Sequence, residues 1–163
     1  MSEGRVEAIY IGAVEAGPLH EVPEVVAEAG KGLVGDRKHY DALPPHKRDE
    51  PGRNLTLIEA EALEALAEEH GIELGAGESR RQIVTRGVRL NPLVGKRFLV
   101  GEVECVAIEL NEPCAHLQRL TKPGVMRGLV HRGGIRADIM KGGTIRPGDP
   151  VREVSDRAEA AAA

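Results

Sequence analysis

Aromatic residues are almost missing from this sequence: 163 residues hold no Trp, one Phe (Phe98) and two Tyr (Tyr10 and Tyr40), an aromatic fraction of 2%. That scarcity argues against recognition by ring stacking, as used by RNA modules, single-strand binders and methyl-ammonium cages. The core must be built from Val, Leu, Ile and Ala. Cysteine is scarce as well. Cys105 and Cys114 are too few for a disulfide framework, so both thiols are expected to be reduced in a cytoplasmic protein. No apolar run approaches the ~20 residues that span a bilayer. The first five residues lead into a strand-like segment with no basic-then-apolar signal, and no membrane association is expected. Positive charge is not in excess either. With 22 basic and 26 acidic residues the chain carries −4, which removes the global field that would hold nucleic acid.

The rest of the composition is ordinary for a folded globule: 41% hydrophobic and 29% charged residues. The length favours one domain, residues 1–156, with an Ala-rich tail at 157–163 that reads as frayed helix or disorder. Charge is unevenly spread. Acidic residues crowd 59–78, and Arg and Lys dominate from residue 80 onward, which suits a small anionic ligand or a solvated mixed surface.

Residues 5–14 alternate apolar with polar or small side chains and read as an opening strand closed by Gly17-Pro18. Residues 24–29 fit a strand or a short helical turn. Gly30, Gly32 and Gly35 suit turns in a β-rich fold better than a phosphate loop, since Pro44-Pro45 interrupts any helix that would come after them. Residues 37–54 form a long polar loop of the kind that often serves as a functional excursion. His39, Asp41 and His46 lie in it, but their spacing and the prolines disfavour a metal site. The spacing predicts a helix over 57–70, with Thr56 and Glu59 as a capping box and Gly71 as its stop. Strands are expected at 82–85, 97–100 and 103–109, the last two forming a hairpin about Gly101-Glu102. Residues 143–154 read as a further hairpin about Arg146-Pro147-Gly148-Asp149. Many short strands with one good helix indicate a mainly β fold, a barrel or sandwich, with helical insertions.

Cys114 falls between a strand and the short helix expected at 115–120. A thiol near a helix N-terminus, with His116 and Arg119 nearby in sequence, suits a nucleophile, a sulfur carrier or a soft metal ligand. The alternative is a small buried hydrophobe. Cys105 alternates with core positions and reads as packing. Pro123 opens, and Gly133 ends, a second short helix whose last residues, His131 and Arg132, are ligand candidates beside Gly133-Gly134. Arg80, Arg81 and Arg86 surround a short strand. Arg81 shares one face with Ile83, and Arg80, Gln82 and Val84 share the other. Arginine forks of this kind match phosphate or pterin acceptors, and an exposed, salt-bridged strand is the competing reading.

Seven segments carry a wider pattern. They are Gly32-Leu33-Val34-Gly35-Asp36-Arg37, Arg53-Asn54-Leu55-Thr56-Leu57-Ile58 with Glu61, residues 77–87, Asn91-Pro92-Leu93-Val94-Gly95, Glu112-Pro113-Cys114-Ala115-His116-Leu117, His131-Arg132-Gly133-Gly134, and Gly143 to Asp149. Across residues 7–154 their order and spacing resembles MOSC-domain proteins, the family named for the C-terminal domain of molybdenum cofactor sulfurases. The resemblance implies a MOSC-type β-barrel in which Cys114 carries sulfur, or ligates molybdenum when the pyranopterin cofactor is bound. It implies a cofactor-binding set of Arg81, Gln82, Asn111, His116, His131 and Arg132. Gln82 stands where relatives usually have Asn. Asn111 replaces a further cysteine of close relatives and removes any Cys-x-x-Cys reading. The sulfurases' pyridoxal-phosphate domain does not fit within 163 residues, so pyridoxal phosphate is not expected.

The resemblance implies three functions. One is a stand-alone module for molybdenum cofactor or a related metal–sulfur ligand. Another is a molybdenum-dependent reductase of N-hydroxylated compounds. The third is a metal-free sulfur-carrier or partner-binding module. A cysteine desulfurase or an electron-transfer protein is the implied partner.

Overall fold

The computed structural model describes residues 3–75 and 77–154. Its strands are β1 (Gly4–Ile11), β2 (His20–Glu21), β3 (Val25–Glu28), β4 (Gly32–Leu33), β5 (Leu55–Glu59) and β6 (Ile83–Arg86) in the first half of the chain. The second half adds β7 (Arg97–Val100), β8 (Val103–Leu110), β9 (Ile135–Lys141), β10 (Gly143–Ile145) and β11 (Pro150–Glu153). The helices are α1 (Ala60–His70), α2 (Ala115–Leu120) and α3 (Val125–Gly128).

Period-two patterning builds the barrel. In β8, Val103, Cys105 and Ala107 are buried, while the residues between them are partly exposed. In β9, Ile135, Ala137 and Ile139 do the same. Their registers bring Cys105 opposite Phe98 on one side and Ile139 on the other, so successive inward side chains stack into one interior. The sheet runs β11-β7-β8-β9-β5-β6-β1, and β1 closes it on β11 through Gly4↔Val151 and Arg5↔Pro150. Closure leaves the seven strands of the ring without a free edge. Phe98 is the one aromatic in a core otherwise made of Val, Leu, Ile, Ala and Cys105.

The parallel pair β5–β6 is bridged by α1, as parallel neighbours need a crossover. α1 lays Ala60 and Ala62 over Ala8, Ile58 and Val84 outside the barrel, and Leu66 packs with Leu117, Val125 and Leu129 of the α2–α3 region. A small sheet, β10-β3-β4, lies apart from the ring in pairing. No helix among the described residues is long and apolar enough to cross a membrane.

Several local expectations are corrected. The opening strand ends at Ile11, three residues earlier than the pattern implied, and residues 25–28 resolve as strand. The helix expected over 57–70 begins at Ala60, and Glu59 caps it without a side-chain bond. Thr56 belongs to β5 instead, where its hydroxyl accepts the Gln82 N–H at 3.0 Å. A sheet partner has outcompeted the local capping box. The segment after Pro123 is helical only over Val125–Gly128. Residues 143–154 do form strand, turn and strand, but not a hairpin: β10 pairs with β3, while β11 pairs with β7 and β1. The exposed, salt-bridged reading of residues 80–86 fails for Arg81 and Gln82, buried at 6% and 0% exposure, and holds only at Arg86, which pairs with Glu7 and Glu64. The tail at 157–163 lies outside the described residues.

Candidate functional site

β1 ends, and β5 and β6 begin, at one rim of the barrel, and the Arg81 side chain reaches from this rim to the chain leaving β8 at Asn111. The loop after β4 drops Asp36 into this rim, 2% exposed. Its Oδ1 accepts the Gly12 N–H and Arg37 Nη1, both at 3.0 Å. Its Oδ2 accepts the Lys38 N–H at 3.0 Å and Gln82 Nε2 at 2.7 Å. The other end of the Gln82 amide, Oε1, accepts from the Thr56 N–H at 2.9 Å and lies 3.3 Å from its hydroxyl. A buried amide must satisfy both of its ends. Gln82 does so wholly within the protein, tying β5, β6 and the Asp36 loop together.

Arg81 is held as firmly. Nε donates to the Gly133 carbonyl at 2.8 Å and Nη2 to the Asn111 carbonyl at 2.7 Å. Asn111 in turn uses Oδ1 to accept Arg136 Nε at 3.0 Å, and Arg136 stands opposite Thr56 in the β5–β9 register. Pro113 and the Arg81 guanidinium both abut Gly133, where a Cβ would come within 3.2 Å of each and 2.3 Å of the Asn111 carbonyl. Cys114 comes next as the exposed N-cap residue of α2, with extended backbone and no capping bond from its side chain. Its thiol is close enough to Arg81 to support that cation electrostatically. Arg81, Asn111, Arg136 and Cys114 therefore form one connected group.

Charge accumulates around it. Burial and the neighbouring Arg136 pull the Arg81 guanidinium down to about 10, still protonated at neutral pH. Lys38 is pulled down to about 7, first by burial and then by Arg37, Arg136 and Arg81, with Asp36 opposing. Arg53 and Arg80 are lowered by burial and then by Arg136 and Arg37 respectively, with Glu15 opposing in both. Burial leads in each case and like-charged neighbours add to it, while Arg53 is paired with Glu50 and Arg136 Nη1 lies 3.8 Å from Glu109. Arg53 donates to Glu50 through Nη2, but its Nε is buried and has no hydrogen-bond partner, a costly arrangement unless something else supplies an acceptor.

The remaining sequence candidates stand elsewhere. His116 is exposed on the first turn of α2. His131, with φ at +61°, points to solvent and pairs through Nδ1 with Glu112 at 2.8 Å. Arg132 pairs with Glu69 on the exposed side of α1. His131 and Arg132 border a groove with Glu59, Glu61, Arg89 and Asn91. His39 bonds Glu28 through Nε2 at 2.6 Å and accepts the Asp41 N–H at Nδ1, so the Nε2 tautomer is fixed. Among the described residues no group of three or more His, Cys, Asp or Glu is arranged to hold a metal ion.

Lys38, Arg53 and Arg136 escaped the sequence reading as site residues. Their signals were weak: Arg53 falls within a segment carrying the family resemblance, Lys38 directly follows another, and Arg136 lies in the basic stretch after residue 80. Cys105 behaves as core: it is fully buried, and burial together with Asp138 pushes its thiol up to about 12. Iodoacetamide at pH 8 should therefore modify Cys114 at least ~100-fold faster than Cys105 in the folded protein, by peptide mass spectrometry. Equal, slow modification of both would refute the placement.

Comparison with known proteins bears on the fold and the family. Among curated proteins none matches the chain. Solved structures do. The YuaD protein from Bacillus subtilis superposes with a TM-score of 0.73 at 15% identity, over 95% of this chain and all of that one. YiiM from Geobacillus stearothermophilus gives 0.65 at 15% identity, covering 93% of this chain and 75% of that one. YiiM from Escherichia coli gives 0.65 at 18%, covering 95% and 70%. At these identities the likeness is one of fold. The family model for the MOSC domain matches residues 44–152, a span that takes in β5 to β10, most of β11, and Arg53, Arg81, Asn111, Cys114 and Arg136. The chain belongs to the MOSC-domain family.

Proposed function

We propose that this chain is a stand-alone MOSC module that holds an anionic, pterin-type molybdenum cofactor at the rim around Arg81, with Cys114 as sulfur carrier or metal ligand. The observation that carries this reading is the buried, partnerless Nε of Arg53, within a cation-rich group of Arg37, Lys38, Arg53, Arg80, Arg81 and Arg136 that is faced by Asp36, Glu15, Glu50 and Glu109. Arginine is the residue suited to bind phosphate; Arg53 has its Nε without a partner while Nη2 holds Glu50, and Arg136, bonded to Asn111 through Nε and 3.8 Å from Glu109 through Nη1, adds charge. Lys38 adds charge, and the framework of Asp36, Gln82 and Thr56 fixes their spacing. Isolated thiolates suit soft metals. With one exposed thiol and no three-residue ligand cluster among the described residues, the chain fits a metal that arrives with ligands of its own. When bound, such a cofactor supplies a redox-active metal and dithiolene sulfur. The chain's part is to hold the anionic end, exclude water from it, and present the Cys114 sulfur to the other end. Sulfur reaching Cys114 would come from a desulfurase-type donor, and electrons from another protein.

The test is metal and pterin content of the protein purified from a cofactor-competent host. Molybdenum and releasable pterin should co-purify, and a combined Arg53→Ala, Arg136→Ala variant should lose at least ~10-fold of both while unfolding normally. Cys114→Ser should keep the pterin and lose metal or transferable sulfur. Wild-type protein with neither molybdenum nor pterin, but with a persulfide on Cys114, would overturn cofactor binding in favour of a metal-free sulfur carrier.

A further inference from the structure

We propose that Glu112 and His131 are positioning residues for the Cys114 thiol: together they close the neck of the excursion that carries it and fix where the sulfur stands against Arg81. The proposal rests on the reading of Cys114 as the working group of the site. His131 points to solvent and acts on the thiol through Glu112.

The excursion leaves the barrel at the end of β8, carries α2 and α3, and returns at the start of β9. Its body is held on α1. Leu117, Val125 and Leu129 pack with Leu66, and a Cβ on Gly128 would come within 2.3 Å of the Leu66 side chain. Its neck is held from inside. The Asn111 N–H donates to the Gly134 carbonyl at 2.8 Å, and Arg81 donates to the Asn111 and Gly133 carbonyls. Between these two anchors runs the stretch from Glu112 to His116, exposed throughout except at half-buried Pro113. Cys114 lies in it, with no capping bond from its side chain. Among the described residues, the side-chain hydrogen bonds of this stretch are those of Glu112 to His131.

Glu112 closes the neck from outside. Its Oε1 accepts the His131 N–H at 2.7 Å, and its Oε2 lies 2.8 Å from Nδ1 of the same residue's ring. A further side chain, Asn91, donates through Nδ2 to the His131 carbonyl at 2.8 Å. His131 is thereby gripped at its N–H, its ring and its carbonyl while its backbone holds φ at +61°. A residue other than glycine keeps that left-handed conformation where its surroundings over-determine it. Most surface ion pairs contribute little, because two mobile side chains must be ordered to make them. Here one partner offers a fixed backbone N–H as well as a ring, so both carboxylate oxygens are engaged. The turn at His131 also delivers the chain into Gly133 and Gly134. The residue that bends the returning chain is thus the one that ties down the outgoing chain two residues before the thiol. Pro113, next to Glu112, abuts the same Gly133 that receives Arg81. A shift of Glu112 therefore moves Cys114 against a guanidinium that stays fixed.

The experiment reads the thiol itself, in the full chain made by a host without molybdenum cofactor so that the sulfur is free. Rates of Cys114 modification by iodoacetate, an anion, and by neutral iodoacetamide are measured at low salt by peptide mass spectrometry. Their ratio reports the positive field at the sulfur and is unmoved by a loosening that speeds both reagents alike. Glu112→Gln and Glu112→Ala lose the same charge. The glutamine, however, still accepts the His131 N–H through Oε1 and donates through Nε2 to Nδ1 of the other ring tautomer. The ratio in Glu112→Gln should match or exceed the wild type. In Glu112→Ala it should be at least ~5-fold below Glu112→Gln, the order expected for taking a thiolate away from one close cation. His131→Gly, which keeps the turn and loses the ring, should fall at least ~2-fold below the wild type. Equal ratios in Glu112→Gln and Glu112→Ala overturn the proposal, as does a ratio that falls only together with the urea midpoint. Molybdenum and pterin content from a cofactor-competent host separates this outcome from the cofactor reading. A difference between the two Glu112 variants in a protein that retains neither refutes the cofactor reading alone. Retained cofactor with equal ratios refutes the positioning role alone.

Discussion

Replacing Gly134 by Ala should cost this protein more than ~4 kcal/mol, at the far end of what single substitutions do. Gly134 sits just before β9 with φ at +92°, and its carbonyl accepts the Asn111 N–H at 2.8 Å. A Cβ there would lie 1.8 Å from the Leu57 carbonyl oxygen, 2.8 Å from its carbon and 3.0 Å from the Ile58 Cα. All three are backbone atoms of β5, so no rotamer change relieves the overlap. Relief requires β5 and β9 to part at Leu57↔Ile135, which would also displace Gly133 and the Arg81 fork it receives. Gly148 is the control. Its φ is +93°, but nothing lies within 4 Å of the Cβ it would gain. Gly148→Ala should therefore lose only the ~1–2 kcal/mol of the left-handed backbone. Urea unfolding of both variants reads the difference, and equal losses would show that backbone strain, not strand contact, is what Gly134 resolves.

How far the sequence foretold this arrangement depends on whether the information was local. The alternation of Val103, Cys105 and Ala107 was legible because a strand's two faces see different surroundings wherever its partners come from. The Arg146-Pro147-Gly148-Asp149 turn was legible as a reversal, yet a turn dictates direction and not pairing. β10 goes to β3 and β11 to the barrel. The Thr56–Glu59 capping box failed for a related reason, since Gln82, 26 residues away, offers Thr56 a better partner than its own helix does. At the site, Cys114 was legible from its strand-to-helix junction, and Arg81 from the arginines around a short apolar run. Lys38, Arg53 and Arg136 were not, because each looks ordinary among its neighbours. They acquire meaning only when the Asp36 loop folds over the β5–β9 register. His131 and Arg132 drew notice through local basic richness, which says nothing about the face they occupy, and the fold gives each a glutamate at the surface.

Asp36→Asn should cost about 3 kcal/mol although it removes no heavy atom. Both carboxylate oxygens accept from donors only: Gly12 N–H and Arg37 Nη1 on one, Lys38 N–H and Gln82 Nε2 on the other. An asparagine amide must turn its own NH2 toward one of these pairs, setting donor against donor, whichever way it flips. It also deletes a buried negative charge beside Arg37 and Lys38, leaving the rim's cations with less to balance them. Two consequences distinguish this from simple loss of packing. Removing that charge should lower the Lys38 amine further, read by carbon-13 NMR of labelled lysine, whereas a neutral packing defect would leave its titration unchanged. Adding Gln82→Glu should also recover part of the stability, because a carboxylate at 82 can accept from an amide turned toward it while still receiving the Thr56 N–H. A double-mutant cycle with a coupling below ~0.5 kcal/mol would sink this account. A larger favourable coupling would make Asp36–Gln82 the joint that fixes where Arg37, Lys38 and Arg81 stand relative to one another, so that the rim's charge is a property of the fold rather than of a mobile loop.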